Sequence, residues 1–331
     1  MALHSSLRAY LYPGTFRNCL NIGEQMNDHI HNDPAFRLDC AGRILDLTAS
    51  PAVMGILNLT PDSFFDGGRF IGPAATPDIG KALETALGMI SAGADIIDVG
   101  GESTRPGADI VSAEEEAMRT VPFIERLRSR SDVIISVDTW KSEVAEKALL
   151  AGANIVNDIS GFNFDGRMAE VCGRHRCGVV LMHSPVRPGV MSWSYNTGDG
   201  GSDIVDKVLG FLRRSIDIAR SHGIDAIITD PGIGFGKSVE ENFRLLARLD
   251  ELHSLGHPVL AGVSRKSFLG QAIRRSGEEL PPPSERLDAT TCANTISLMN
   301  GADILRVHDV GAAVQARAVV LALRRSSGRP S

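Results

Sequence analysis

Ala94-Asp95-Ile96-Ile97-Asp98-Val99 is a short apolar run rich in β-branched residues, and Gly101-Glu102-Ser103-Thr104-Arg105-Pro106-Gly107 follows it directly. The run is typical of a buried strand, so the polar segment begins where that strand ends. The same arrangement recurs where residues 53–57 precede Asn58-Leu59-Thr60-Pro61-Asp62-Ser63-Phe64 and where residues 258–262 precede Ser264-Arg265-Lys266-Ser267-Phe268. In a parallel α/β protein the carboxyl ends of the strands form one face, so these distant segments can meet around one ligand.

Strands and helices alternate along most of the chain. Strand candidates begin near Val53, Ala94, Val133, Asn154, Gly178, Ala226, Pro258 and Asp303. Amphipathic stretches lie between them, with helix-start signals at Thr76-Pro77, at Ser112 with Glu115 and at Ser238 with Glu241. Eight parallel strands, each followed by a helix, predict an α/β fold of the (β/α)8 TIM barrel type better than an open, doubly wound sheet. The alternative is that a weak candidate, such as residues 154–157, is a loop.

The predicted barrel occupies residues 36–325 as a single domain. Residues 1–35 form a leader that we expect to be disordered or peripheral, and residues 326–331 form a short tail. Residues 36–39 and 44–47 have the pattern of a small hairpin, which could close the bottom of the barrel.

Composition narrows the class of protein. The 331 residues are 43% hydrophobic and 22% charged, which is typical of a soluble globular protein with a substantial core. The net charge of −6 argues against general binding to nucleic acid or to anionic membranes. No apolar run approaches the roughly 20 residues that span a bilayer, and no signal peptide is evident. The odd number of cysteines, five, favours reduced thiols and a cytoplasmic location.

The residues at the predicted strand ends form two chemical subsets. The first subset suits a flat heterocycle with alternating donors and acceptors, and it consists of Asp138, Asn157, Asp230 and Lys266. The second subset suits an anion or a metal ion, and it consists of Asn58, Arg105, Arg306 and His308. For single residues a structural role stays open: Asp138 could cap the helix that begins near Lys141, and Arg306 could pair with Asp309.

One glycine-rich segment resembles a phosphate-binding P-loop without matching it. Residues 232–238 read Gly-Ile-Gly-Phe-Gly-Lys-Ser, but the P-loop pattern requires glycine where Pro231 stands. The glycines instead favour a sharp turn that brings Phe235 close to a ligand held by Asp230, with Ser238 capping the next helix.

Several motifs together resemble the dihydropteroate synthase family of the folate pathway. The resemblance runs from about Phe36 to about Leu323, and it rests on Met54-Gly55-Ile56-Leu57-Asn58, residues 98–107, Ser136-Val137-Asp138-Thr139, Asn157-Asp158, residues 230–237, residues 264–268 and Arg306-Val307-His308-Asp309-Val310. It implies a transferase that condenses 6-hydroxymethyl-7,8-dihydropterin diphosphate with p-aminobenzoate, giving 7,8-dihydropteroate and pyrophosphate. It further implies a barrel that uses magnesium, assembles as a homodimer and is the target of sulfonamides.

The resemblance assigns roles to individual residues. The implied pterin-binding residues are Asp138, Asn157, Met182, Asp230, Lys266 and Arg306. The implied diphosphate-binding residues are Asn58, Arg105, Arg306 and His308, and Asn58 also faces the magnesium ion. The implied p-aminobenzoate-binding residues are Phe64, Thr104, Pro106, Phe235, Lys266 and Ser267. Catalysis would use Asp66, Arg105 and Lys266, with Asp66 stabilising a pterin cation in an SN1-like substitution.

A few positions depart from the family pattern. Phe65 stands where a small polar residue is usual, Ser184 replaces a methionine, and Ala289-Thr290 replaces a Gly-Thr pair. Two other functions remain open: a folate-dependent corrinoid methyltransferase, and a pterin-binding paralogue without catalytic activity. The first would generally lack the motifs at residues 58–64 and 264–268, and the second would be expected to have lost Asp66, Arg105 or Lys266. All of these are present.

Overall fold

A computed structural model describes residues 36–60, 78–103, 110–184, 187 and 203–327. By their contacts, Ala35–Ser331 group as one compact unit, and the other unit, Met1–Pro34, lies outside the described residues. The predicted leader therefore stays a prediction. None of the described helices is both long enough and apolar enough to cross a membrane.

Eight strands of the described chain form one parallel sheet, which closes into a barrel. After the hairpin strands β1 (Arg37–Cys40) and β2 (Arg43–Asp46), the barrel strands are β3 (Ala52–Asn58), β4 (Ile96–Gly100), β5 (Ile134–Asp138), β6 (Ile155–Asp158), β7 (Gly178–Met182), β8 (Ile227–Asp230), β9 (Leu260–Ala261) and β10 (Ile304–Val307). Their order is β8-β7-β6-β5-β4-β3-β10-β9, and a parallel bridge between Thr229 and Val259 joins the two ends. The predicted barrel is confirmed.

Nine helices in the described residues surround the strands. They are α1 (Ile79–Ser91), α2 (Ala113–Arg128), α3 (Ser142–Leu150), α4 (Met168–His175), α5 (Ile204–Ser221), α6 (Val239–Ala247), α7 (Ser267–Ile273), α8 (Leu287–Met299) and α9 (Val310–Ser326). Two 3₁₀ segments, Leu249–Leu255 and Pro283–Glu285, connect neighbouring elements.

The predicted helix starts are confirmed in part. Ser238 and Glu241 form a complete capping box, in which each side chain accepts from the other residue's backbone N–H. Ser112 accepts from the backbone N–H of Glu115, but the Glu115 side chain pairs with Arg119 instead of returning to the cap. Helix α1 is capped by Asp78, directly after the predicted Thr76-Pro77 signal, because the Asp78 carboxylate accepts from the N–H of Lys81.

The strand candidate at residues 154–157 is a genuine strand. Strand β6 pairs with β5 on one side and with β7 on the other, so its backbone groups are satisfied in the sheet. The Asn154 side chain supports this pairing, because its Oδ1 accepts from the N–H of Ile135 on β5 at 3.1 Å. The alternative interpretation as a loop was wrong.

The predicted hairpin closes the bottom of the barrel. Leu38, Cys40 and Leu45 are buried in one apolar cluster with inward-facing residues of the barrel strands. The strand residues of this cluster are Ala52, Met54, Ile96, Ile134, Ile155, Val180, Ile228, Leu260 and Ile304, and Ala226, just before β8, joins them. Each fully buried side chain of this size stabilises the fold by about 1.5–3 kcal/mol.

The interior changes from apolar to polar towards the carboxyl ends of the strands. Alternate residues of a strand share one face, so Asp98 follows Ile96 inside the barrel, and Asp138 follows Ile134 in the same way. The apolar lower layer is filled by the hairpin. Charged side chains are therefore concentrated at the opposite end, where barrel enzymes carry their active sites.

Candidate active site

Arg306 forms the centre of the polar layer. Its Nε donates to Asp98 Oδ2 at 2.7 Å, and its Nη2 donates to Asp138 Oδ2 at 2.6 Å. Arg306 lies on β10 while the two carboxylates lie on β4 and β5, so the arginine reaches through the barrel interior past β3. The alternative that Arg306 pairs with Asp309 was wrong, because Asp309 binds Arg265 instead.

Asp138 is held in the barrel and does not cap the helix after it. Helix α3 begins after Lys141 without a side-chain cap. Burial raises the pKa of Asp138 to about 7, helped by the charge of Asp98 and opposed by Arg306. Burial alone would lower the pKa of Arg306, but the carboxylates of Asp98 and Asp138 raise it above its ordinary value, so this cation stays charged.

Both carboxylates keep hydrogen-bonding capacity. Among the residues that the structure describes, Asp98 Oδ1 and Asp138 Oδ1 are buried without a hydrogen-bond partner. Buried polar oxygens are rarely left in this state, because losing water without a replacement partner costs about 1–3 kcal/mol. Two orphaned acceptors beside a fixed cation indicate a binding site for a ligand rich in N–H groups.

Sequence reasoning missed Asp98 as a site residue. The carboxylate is fully buried, and its Oδ2 also accepts from Asn157 Nδ2 at 3.1 Å, so it links the predicted residues Asn157 and Arg306. One signal was present in the sequence: Asp98 interrupts a β-branched strand two residues before its end, on the same face as Gly100.

Asp230 and Lys266 form the second half of the polar layer. Burial raises the pKa of Asp230, and Lys266 opposes that effect. Burial lowers the pKa of Lys266 to about 7, and the charge of Arg306 acts in the same direction, whereas the carboxylates of Asp230 and Asp138 act to raise it. The Lys266 ammonium donates to the carbonyl oxygen of Ile233 and lies 4.5 Å from the centroid of the Phe235 ring.

The glycine-rich turn after β8 brings Phe235 to this position. Gly232 and Gly234 have φ values of 67° and 84°, and a Cβ atom would lie 2.0 Å from the carbonyl oxygen of His183 at the first and 2.6 Å from Lys266 at the second. The predicted sharp turn is confirmed, whereas the predicted approach of Phe235 to a ligand stays a prediction.

Lys237 shows why this segment is not a phosphate loop. Its ammonium is buried and donates to the carbonyl oxygens of His183, Gly232 and Phe235 at 3.2, 2.7 and 3.1 Å. Burial lowers the pKa of this lysine to about 7. Lys237 therefore holds the turn together from within and is not directed at a ligand.

The other described site residues line the same end of the barrel. Met182 lies beside Asp230 in the register of β7 and β8, and Ser267 is buried at the start of α7. His308 Nδ1 lies 2.9 Å from Ser264 Oγ. Asn58 ends β3, and its Oδ1 lies 3.1 Å from the position that a Cβ atom would take on Gly100. The structure thus brings Asn58, Asp138, Asn157, Met182, Asp230, Phe235, Lys266, Ser267, Arg306 and His308 to one end of the barrel.

Five predicted site residues lie outside the described residues. They are Phe64, Asp66, Thr104, Arg105 and Pro106. Their proposed roles remain predictions, and so does the effect of Phe65 in the same loop.

Fold and site together define a class: this is a TIM-barrel protein with a cluster of acidic, amide and cationic side chains at the carboxyl ends of its strands. The family model described as pterin binding enzyme matches residues 54–308. A dihydropteroate synthase of Synechocystis sp. is 46% identical over 277 residues, which cover 82% of this chain and 90% of that protein. The chain belongs to the pterin binding enzyme family.

Solved structures agree with this assignment. Xanthomonas albilineans dihydropteroate synthase with 4-aminobenzoic acid is 43% identical, with a TM-score of 0.75 over 88% of this chain and 99% of that one. Yersinia pestis dihydropteroate synthase in complex with a sulfonamide drug is 40% identical, with a TM-score of 0.78 over 88% and 100%. The resemblance found in the sequence motifs is confirmed.

Proposed function

We propose that this chain is a dihydropteroate synthase, which condenses 6-hydroxymethyl-7,8-dihydropterin diphosphate with p-aminobenzoate to give 7,8-dihydropteroate and pyrophosphate. The observation that carries the proposal is the pair of orphaned carboxylate oxygens beside Arg306. A pterin presents an aminopyrimidinone edge whose N–H groups match such acceptors. The similar synthases of known sequence and structure support the same activity.

The pterin would occupy the deep part of the pocket. Asp98, Asp138 and Asp230 would accept hydrogen bonds from its N–H groups. Asn157 would bind a second edge, and Met182 would pack against the ring. Arg306 is fixed by two carboxylates and would lie over one face of the ring, so its position would be set before the ligand arrives.

The diphosphate would lie nearer the mouth. His308 and Arg306 are the described basic groups on that side, with Arg105 proposed from the sequence motif. Asn58 is the residue that would contact Mg²⁺. Its amide oxygen suits a hard cation, which keeps several waters and takes its other ligands from substrate phosphates. When bound, the ion would supply positive charge at the departing oxygens.

The residues for p-aminobenzoate would lie beside the reacting carbon. Phe235 would offer an aromatic wall, and the Ser267 hydroxyl would offer a hydrogen bond to the carboxylate. Lys266 lies against Phe235, and the charges of Asp230 and Asp138 act on its ammonium. Phe64, Thr104 and Pro106 are proposed for the same site from the motifs alone.

The chemistry would be a substitution at the pterin methylene. The bond from carbon to the diphosphate oxygen breaks, the aromatic amine forms the new C–N bond, and the amine then loses a proton. The amine is neutral at pH 7, so the reaction needs charge stabilisation more than a strong base. We propose an SN1-like order of events in which Asp66 stabilises the pterin cation.

The first test is an assay of the purified chain with the pterin diphosphate, run with and without p-aminobenzoate and with and without Mg²⁺. We expect pyrophosphate and 7,8-dihydropteroate in equal amounts only when both substrates are present, and we expect chelation of Mg²⁺ to abolish turnover. Asp66→Asn should reduce kcat at least about 10²-fold. Tight pterin binding without turnover would indicate the non-catalytic paralogue, and methyl transfer from a methylated folate would indicate the methyltransferase.

We further propose a homodimer formed by α8 and α9. These adjacent helices expose Ile296, Met299, Val319 and Leu323, which are between 45% and 64% exposed. An apolar surface of this kind is typical of an interface. Light scattering after size exclusion should give twice the monomer mass.

Matched substitutions test the dimer surface. Val319→Asp should shift the protein to monomer, whereas Leu150→Asp, at an even more exposed apolar residue on α3, should leave the dimer intact. A wild-type monomer at micromolar concentration would contradict the proposal.

A cytoplasmic location is also a proposal. Its support is chemical: Cys40, Cys172 and Cys177 are buried free thiols, and Cys292 is an exposed one. Such usage is typical of reducing compartments.

A further inference from the structure

Arg265 lies between Ser264 and Lys266 and has an unusual backbone conformation. Its φ is +57°, in the left-handed region that side chains other than glycine rarely adopt. For a long side chain such a conformation is strained, and it persists only where surrounding contacts hold it. The following residue, Lys266, has returned to the extended region and enters α7.

Helix α8 and the segment before it hold the Arg265 backbone. The N–H of Arg265 donates to Thr290 Oγ1 at 2.9 Å, and its carbonyl oxygen accepts from Arg286 Nη1 at 2.8 Å. Both partners are buried. Arg286 is itself fixed, because its Nε donates to the carbonyl oxygen of Pro281 at 2.8 Å.

The Arg265 side chain makes a two-pronged ion pair. Its Nε donates to Asp309 Oδ2 at 2.8 Å, and its Nη2 donates to Asp309 Oδ1 at 2.5 Å. The two side chains are only 15% and 25% exposed. A partly buried pair with two parallel hydrogen bonds is a strong, orienting contact, unlike a surface ion pair.

This ion pair joins the loops that follow β9 and β10. Strand β9 has only two residues, so few ladder bonds fix the segment after it. Next to the ion pair, Ser264 Oγ lies 2.9 Å from His308 Nδ1 and accepts from the backbone N–H of His308 at 3.2 Å. Ser264 and Arg265 on the first loop therefore bind His308 and Asp309, respectively, on the second.

We infer that Arg265 and Asp309 are positioning residues: their ion pair, acting on the left-handed turn, directs Lys266 towards Ile233 and Phe235 and holds His308 against Ser264. The inference rests on the proposed function, because Lys266 and His308 are the groups that would contact the substrates. Arg265 acts through Lys266 and need not touch a ligand.

The decisive variant is Arg265→Gly. Glycine adopts a positive φ without strain. The change therefore removes the guanidinium while the left-handed turn can still form, and we expect a melting temperature close to that of the wild type. We expect kcat/KM for p-aminobenzoate to fall about 30–100-fold, because a displacement of about 1 Å in a reacting group is sufficient for such a loss. Affinity for 6-hydroxymethylpterin should fall less, by at most about 10-fold, because Lys266 is only one of the residues proposed for the pterin and a single hydrogen bond contributes about 0.5–1.5 kcal/mol.

Further variants distinguish the loss of the Arg265–Asp309 ion pair from a non-specific loss of activity. Asp309→Ala should lose about as much activity as Arg265→Gly, and the double variant should lose no more than either single one, because the two act as a unit. Arg265→Lys should recover part of the activity. Arg248→Ala removes an arginine that pairs with Asp203 and Glu251 away from Lys266, and it should stay within about 2-fold of the wild type.

A second readout needs no substrate. The pH dependence of Lys266 acylation, followed by mass spectrometry, gives the pKa of that amine. Burial lowers it to about 7 in the intact pocket, and it should rise towards the ordinary lysine value of about 10.4 in Arg265→Gly. If the wild type makes no dihydropteroate, the proposed function is overturned, and the Lys266 labelling alone then tests the positioning role of Arg265. If the wild type is active, the positioning role is overturned when Arg265→Gly changes neither the pKa of Lys266 nor kcat/KM. If the wild type is inactive, an unchanged pKa of Lys266 in Arg265→Gly overturns it.

Discussion

Replacing Arg306 by methionine is expected to destabilise the protein by about 3–5 kcal/mol, because it leaves two buried carboxylates facing each other without their cation. Asp98 is fully buried and Asp138 nearly so. For a domain of this size the loss corresponds to a melting temperature lower by roughly 10 °C. Thermal unfolding at pH 7.5 measures it.

The destabilisation should depend on pH in a defined direction. Burial already raises the pKa of Asp138 to about 7 with Arg306 present, and without the arginine it rises further. A carboxyl group with a raised pKa in the folded state favours folding only when protonated. Below about pH 7 Asp138 is protonated in both proteins, so the defect that its charge causes should be smallest there and should grow as the pH rises above 7. A melting temperature that falls equally at every pH would contradict this account.

Two further variants serve as controls. Asp98→Asn combined with Arg306→Met removes one of the facing charges and should recover a large part of the lost stability. Arg306→Lys keeps the charge but cannot donate to both carboxylates in the same fixed geometry, so it should lie between the wild type and Arg306→Met.

The second large effect is expected at Asp230. Asp230→Asn should weaken binding of 6-hydroxymethylpterin by about 10²–10³-fold, because a buried charge-assisted hydrogen bond contributes about 3–4 kcal/mol and each 1.4 kcal/mol is tenfold in Kd. The fold should survive, because the new amide oxygen can still accept from the N–H of Gly232, which Asp230 Oδ1 does now at 2.7 Å. Calorimetric titration measures the affinity.

The pH dependence adds a second criterion for Asp230. Burial raises the pKa of this carboxyl group, so pterin affinity of the wild type should fall as the pH drops through that pKa, and Asp230→Asn should lack this phase. Thr229→Val is the matched control, because the Thr229 hydroxyl is directed at the carbonyl oxygen of Pro258 and is not part of the proposed pocket. Normal pterin binding by Asp230→Asn would contradict the role of the carboxylate.

The barrel was predictable from the sequence because each strand is a compact β-branched run followed by a polar segment. Every predicted strand start lies within two residues of the observed one, including the weak run that became β6. The cluster of Asp138, Asp230, Lys266 and Arg306 followed from this, since parallel strands place their ends on one face.

Pairings within the site were beyond sequence reasoning. That Arg306 binds Asp98 and Asp138, while Asp309 binds Arg265, depends on which side chains face each other across the barrel. Residue type does not encode this. The left-handed turn at Arg265 was equally hidden, because arginine carries no preference for that conformation, which tertiary contacts impose.

The hairpin formed by β1 and β2 determines how molecules reach the pocket. Because apolar side chains fill the lower end of the barrel in the part of the chain that the structure describes, substrates and products would have to share its upper end. A ligand bound at Phe235 and Ser267 would therefore obstruct the exit of a pterin bound beneath it. Compounds that imitate p-aminobenzoate would then act in two ways, by competing with the second substrate and by slowing release of whatever already occupies the deeper position.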